Sequence, residues 1–247
     1  MQDLGGRVGV VTGAASGIGL AVATAFAAER MRVVMADVDE EGLDRHARTL
    51  GEGGADVHAV AADVSHPADV ERIGRAAVER YGTLHVAVNN AGIVNAGTSW
   101  ELSVDEWRRV LDVNLWGVIH GIRTFVPLIL AGGEEGHVVN VASIAALLPL
   151  ARLGPYTVAK HGVLGLSDVL QAELDAAGAP VGVSVVMPGR VRTAMNPIGL
   201  IEPATVAANV VDAIRTGRTY VFTDHDATEA VETRMQAILA ARTRVVD

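Results

Sequence analysis

Short valine-rich runs recur along the chain at 7–13, 32–37, 55–63, 84–92, 136–143, 181–189 and 219–223, separated by longer stretches with helical spacing of apolar residues. Runs that are apolar nearly throughout, rather than alternating with polar residues, fit strands covered on both faces. Their alternation with helical stretches predicts an α/β fold: one doubly wound domain with a seven-stranded parallel sheet and helices on both faces. Ligands of such sheets bind beyond the carboxyl ends of the strands, so the residues just after each valine run are the first to inspect. Residues 8–28 carry no charge and match a membrane span in length, but Gly9, Gly13, Gly17 and Gly19 break the run. A β-branched start gives way to an alanine-rich end, which predicts a strand, a glycine turn and a buried helix.

Composition narrows the picture. At 247 residues the chain can enclose one large core, and no linker, low-complexity tract or repeat divides it. Half the residues are apolar but only 4% are aromatic, so Ala, Val, Leu and Ile must fill the interior. The absence of cysteine excludes disulfides, thiolate metal sites and a cysteine nucleophile. A net charge of −9 with dispersed arginines argues against a nucleic-acid surface. No metal is expected, because the eight histidines lack ligand spacing, and "TDHD" (223–226) reads as a polar turn. No G-x-S-x-G elbow supports a hydrolase. With no export or membrane segment expected, the cytoplasm is the default location.

The glycine turn "TGAASGIG" (12–19) joins the first predicted strand to the first helix. Gly13 allows the sharp turn, Gly17 lets a pyrophosphate approach the backbone, and Gly19 lets the helix lie close on the sheet. Together with Ser16 and Ile18, these residues would place phosphates at a helix amino terminus, where N–H groups lack partners. Asp37 ends the second strand and can accept from adenosine ribose hydroxyls while repelling a 2′-phosphate, so NAD is preferred over NADP. The alternative is that Asp37 only caps the following helix, a task Asp39 could also perform. Ser16 is neutral where a basic residue could hold the extra phosphate.

Among twenty basic residues there is a single lysine, Lys160; the others are arginine. Tyr156, one of three tyrosines, precedes it by four positions and shares its helix face.

With "TGAASGIG", "NNAG" (89–92), Asn114, Ser143 and "YTVAK" (156–160) in this order, the sequence resembles the short-chain dehydrogenase/reductase family from about Gly5 to Thr223. The resemblance implies a single Rossmann-type domain over 1–247, with its cofactor half at about 1–143 and its substrate side at about 144–247. It implies a nicotinamide cofactor and a Ser143, Tyr156 and Lys160 site assisted by Asn114. Tyr156 would exchange the alcohol proton, its phenol made more acidic by the Lys160 ammonium and the positive nicotinamide ring. Lys160 would also donate to the nicotinamide ribose, Ser143 to the substrate oxygen, and Asn114 would reach the lysine through water. Taken alone, Ser143 could be a turn residue and Asn114 could bend its helix by bonding back to it.

Further cofactor contacts follow from the same resemblance. Asp63 and Val64 would hold the adenine. Asn90, Ala91 and Gly92 would line the adenosine side, unless "NNAG" chiefly braces its strand. Pro188, Gly189, Val191 and Thr193 would shape the nicotinamide end. On the substrate side, the apolar segment 144–154 with Met187 and Met195 would wall a pocket for a hydrophobic secondary alcohol or ketone, and Arg152 is the charge that could meet an anionic group. The lid between Thr193 and Pro203 is short, which fits either a substrate too large to be enclosed or closure completed by another segment, the C-terminal helix expected at 226–243 or a neighbouring subunit. Long helices expected at 104–131 and 155–178 carry small and apolar residues suited to a homodimer or homotetramer interface, with Trp100, Trp107 and Trp116 as packing or interface residues. Two other functions stay open: an NAD-binding regulator without turnover, and an isomerase or dehydratase on the same scaffold.

Overall fold

The computed structural model describes residues 1–242. Seven strands form one sheet in the order β3-β2-β1-β4-β5-β6-β7, with every neighbouring pair parallel. They are β1 Val8–Thr12, β2 Arg32–Asp37, β3 Val57–Ala61, β4 Val86–Asn89, β5 Gly136–Val141, β6 Val181–Met187 and β7 Tyr220–Phe222, each within a valine run. The runs outlast the strands at their carboxyl ends, as at 62–63 and 90–92, where the chain leaves the sheet. Strand order reverses between β1 and β4, and the crevice that this opens is where a doubly wound sheet takes its ligand.

Every residue of β1 and β5 is buried, as the unbroken apolar pattern requires. Helices α1 (Gly17–Ala28) and α7 (Pro203–Thr216) enclose one core with Phe26, Met35 and Ile214. The opposite core lies under α3 (Pro67–Tyr81), α5 (Gly117–Gly132) and the far end of α6 (Gly154–Ala176), with Ile73, Phe125 and Leu174. Fully burying side chains of this kind stabilises by roughly 1.5–3 kcal/mol each. Helix α2 (Glu40–Glu52) starts on Asp39, whose carboxylate accepts from the Gly42 N–H. Asp39, not Asp37, is therefore the cap.

The helix expected at 104–131 is two helices. Helix α4 (Val104–Leu111) begins with a Ser103/Glu106 capping box and runs into a π turn at Asp112–Trp116 before α5. By length and composition, 104–132 could cross a membrane, but Val118, Phe125 and Ile129 bury it in the core. The widened turn holds Asn114 fully buried, a use of π geometry that is frequent at functional sites. Helix α6 is pinned to the sheet by a buried amide ladder. Asn89 donates to Asn140 at 2.9 Å, Asn140 to Ser167 at 3.0 Å, and Ser167 to the Val163 carbonyl. The last helix, α8, is Thr228–Arg242; residue 243 of its expected extent lies outside the described residues.

His137 sits near the amino end of β5, away from the carboxyl ends of the strands, with Nε2 2.8 Å from Ser184 Oγ; that hydroxyl donates to the Arg218 carbonyl, so the ring is the donor to it. Burial lowers its pKa to about 4. The unfolded chain then binds the extra proton between about 4 and the ordinary value, so stability is full above about 6.5 and falls as pH drops through this window. Comparing the wild type with His137→Gln by urea denaturation, we expect the wild type to lose on the order of 3 kcal/mol more than the variant between pH 7 and pH 4.

Candidate active site

One cavity of about 1050 Å³ lies along the carboxyl ends of β1, β2, β4, β5 and β6. It is lined by every candidate catalytic and cofactor-contact residue named above except Gly19 and Asn114. Gly13 and Gly17 adopt φ of +68° and +52°, the left-handed region that glycine enters at least cost. A Cβ on Gly19 would stand 2.0 Å from the Gly13 carbonyl oxygen, so Gly19 lets α1 sit against the turn rather than touching a ligand. Helix α1 starts at Gly17 with no side-chain cap from Ser16 and no acid in its first turn. Its free N–H groups and positive end therefore face the cavity, as an anionic diphosphate requires. Across the turn lies Thr193, whose Cγ2 would be 3.1 Å from a Cβ on Gly17. The glycine turn and the loop after β6 thus form two sides of one cradle.

Asp37 closes the β2 end. Its carboxylate accepts from the Ala15 N–H at 2.9 Å and the Asp39 N–H at 3.0 Å, which fixes it beside Ser16 and Val38. Burial pushes the Asp63 carboxyl up, but hydrogen bonds from the Ser65 hydroxyl and N–H, helped by His66, bring it below its ordinary value. Asn90 does brace the sheet, donating from Nδ2 to the Thr12 carbonyl at 2.9 Å; its backbone, with Ala91 and Gly92, still faces the cavity.

Ser143, Tyr156 and Lys160 all line the cavity, with Tyr156 next to each of the other two. Ser143 follows β5 and begins a short 3-10 turn, accepting from the Ala145 N–H at 3.2 Å. Lys160 is 3% exposed; its Nζ donates to the Val141 carbonyl at 2.8 Å and lies 5.6 Å from the centre of the Tyr156 ring. Burial lowers the lysine pKa to about 8. The tyrosine is raised, by burial first, with a Ser143 hydrogen bond opposing. Without a ligand, burial therefore pushes both groups toward their neutral forms, and the acidity expected of the phenol counts on the nicotinamide ring as well as the ammonium.

Asn114 neither bonds back along its helix nor lines the cavity. Its Oδ1 accepts from the Ile93 N–H at 2.8 Å and its Nδ2 donates to the Ile93 carbonyl at 2.7 Å, fixing the loop after β4 that forms a wall. On the substrate side Ile144, Leu150, Leu153 and Met195 are wall residues as expected. Met187 is not: it is buried in a separate cluster with Val118 and Val163. Arg152 also lies off the wall, spent in a left-handed turn (φ +67°) whose carbonyl accepts from the Gly97 N–H. Arg108, Arg109 and Arg190 line the cavity in its place, with Asp105 and Asp112. The α4 residues were not foreseen, because no motif marks them and packing alone brings their polar face to the opening.

Comparison with known proteins agrees with this geometry. Residues 7–198 match the family model described as short chain dehydrogenase. The 1-deoxy-11-beta-hydroxypentalenate dehydrogenase of Streptomyces avermitilis is 40% identical over 231 residues, covering 88% of this chain and 84% of that one. The enzyme of the same name from Streptomyces exfoliatus is 39% identical over 234 residues, covering 90% and 84%. Among solved structures, a short chain dehydrogenase/reductase from Burkholderia phymatum in complex with NAD superposes with a TM-score of 0.96 at 34% identity, covering 100% of this chain and 99% of the other.

Proposed function

The chain belongs to the short-chain dehydrogenase family, and from that premise we propose that it is an NAD-dependent oxidoreductase acting on a hydrophobic secondary alcohol or the matching ketone. One observation carries the reading: the single lysine of the chain is buried at the cavity, against the ring of Tyr156 and beside Ser143.

The residues present suit a dinucleotide. Gly13, Ser16, Gly17 and Ile18 would hold the diphosphate, Asp37 the adenosine ribose, Asp63 and Val64 the adenine with Asn90, Ala91 and Gly92 beside it. Pro188, Gly189, Val191 and Thr193 would hold the nicotinamide end. When bound, the nicotinamide ring accepts or supplies the hydride, and in its oxidised form adds positive charge. Tyr156 Oη takes the proton from the alcohol oxygen during oxidation and returns it during reduction. Ser143 Oγ donates to the same oxygen and orients it. Lys160 Nζ spends one donor on the Val141 carbonyl and keeps two for ribose hydroxyls and the phenol side, an arrangement that a planar guanidinium fits poorly. Asn114 acts through the Ile93 loop that it fixes.

Preference for NAD rests on Asp37, a fixed carboxylate with neutral Ser16 beside it. The apolar wall at Ile144, Leu150, Leu153 and Met195 supports a hydrophobic substrate, and the named Streptomyces relatives are by their names dehydrogenases of a hydroxylated compound, 1-deoxy-11-beta-hydroxypentalenate. We place the enzyme in the cytoplasm as a homodimer or homotetramer paired through α5 and α6, with Trp116 exposed in the π turn before α5 and Val158 and Val169 exposed on α6. Light scattering that gave a monomer mass would remove that assembly.

A panel of secondary alcohols with NAD⁺ at alkaline pH, followed at the NADH absorbance, tests the activity. Turnover without net NADH would favour the isomerase or dehydratase reading. NAD binding without turnover of any panel member would favour the regulator.

A further inference from the structure

The lid at 194–202 is too short to hold both walls of the substrate end, yet the loops after β5 and β6 are each tied to a third segment. That segment follows β7 and includes the polar "TDHD" turn. Asp224 Oδ2 accepts from the Gly189 N–H at 3.1 Å and the Thr223 hydroxyl at 3.2 Å, while Oδ1 accepts from the Asp226 N–H at 3.1 Å. The fit is close: a Cβ on Gly189 would stand 2.4 Å from Asp224 Oδ2, so the carboxylate occupies the side of the turn that only glycine leaves open. Ten residues on, Arg234 of α8 donates to the Leu147 carbonyl at 2.7 Å, in the loop after β5. Helix α8 buries none of its residues, so apolar packing is not what seats it. Hydrogen bonds carried by an ionised partner are about twice as strong as neutral ones, and one stands at each end of this segment.

We propose that residues 224–234 form a strap across the substrate end, and that Asp224 and Arg234 are positioning residues holding the 188–193 turn and the 144–153 loop at their working separation. Gly189, Ile144, Leu150 and Leu153 line the cavity, so displacement of either loop changes the wall that a substrate meets. The role in substrate binding rests on the oxidoreductase reading; the anchoring of the two loops does not.

Hydrogen exchange of the free protein tests the anchoring without substrate or cofactor. Asp224→Ala should speed exchange at the Gly189 amide at least tenfold, whereas Asp224→Asn, which keeps an acceptor, should stay within about threefold of wild type. Gly189→Ala evicts the carboxylate, so adding Asp224→Ala to it should bring little further change, the non-additivity of groups acting through one contact. Arg234→Gln, on an exposed helix, should loosen 144–153 and leave 8–28 unchanged. In turnover, Arg234→Gln should raise KM for the alcohol about tenfold with kcat and the Kd for NAD⁺ within about threefold, whereas Asp224→Ala, which frees the turn assigned to the nicotinamide end, should raise KM for the alcohol and weaken NAD⁺ binding as well. Unchanged exchange at Gly189 and 144–153 in these variants, or equal loosening of 8–28, would overturn the strap. A wild type that forms no NADH while the exchange pattern holds would sink the oxidoreductase reading and leave the anchoring intact.

Discussion

Replacing Tyr156 with phenylalanine is expected to lower kcat for alcohol oxidation by about a thousandfold, within the 10²–10⁴ range of a positioned acid or base. The substitution removes one oxygen. The ring that Lys160 faces at 5.6 Å remains, and so does the lysine's bond to Val141, so the Kd for NAD⁺ should stay within about threefold. The loss should appear in kcat and kcat/KM together, as for an interaction made only in the transition state. Burial raises the phenol and lowers the amine in the protein alone, so the wild-type rate of oxidation should climb with pH as the bound, positively charged ring lets the phenol ionise. The phenylalanine variant should have a flat profile over the same range. A rate within tenfold of wild type would remove Tyr156 from the chemistry.

Asp37→Asn should move cofactor preference toward NADP⁺ by about a hundredfold in the ratio of kcat/KM values. The asparagine oxygen can accept from only one of the two N–H groups, Ala15 or Asp39, that the carboxylate oxygens hold separately, so the change removes the charge together with one brace of the turn. A unit charge pair near 4 Å interacts by about 4 kcal/mol at an effective dielectric near 20, and screening at an open cavity reduces that. Each factor of ten corresponds to about 1.4 kcal/mol, so a hundredfold shift asks for well under the unscreened figure. Steady-state kinetics with both dinucleotides at fixed ionic strength measure it. An unchanged ratio would mean that Asp37 only braces the glycine turn.

All seven strands were legible, each inside a valine run: the inner ones because a strand buried on both faces has little room for polar residues, the partly buried edge strands β3 and β7 through their β-branched and aromatic residues. The glycine turn was legible for a related reason: positive φ at Gly13 and Gly17, and the close approach at Gly19, leave few other choices. What escaped the sequence depends on contacts between distant segments. Nothing near Asn114 announces Ile93, twenty-one positions earlier, as its partner, and nothing in 104–131 marks a π turn. Arg152 looked available because it lies in the apolar wall segment, but a left-handed turn takes it off the cavity, and the arginines that do line it sit on α4 and after β6. The "TDHD" segment read only as a polar turn because its carboxylate finds Gly189 only once β6 and β7 are adjacent.

Because the chain has a single lysine, protein labelled with [¹⁵N]lysine yields one side-chain ammonium resonance, and its titration tests the central claim without knowledge of the substrate. The account predicts a midpoint near 8 in the free protein, a resonance displaced by NAD⁺ at millimolar concentration, and a response to Tyr156→Phe. A midpoint near the ordinary value for lysine, with a resonance indifferent to both NAD⁺ and the loss of the phenol, would contradict it.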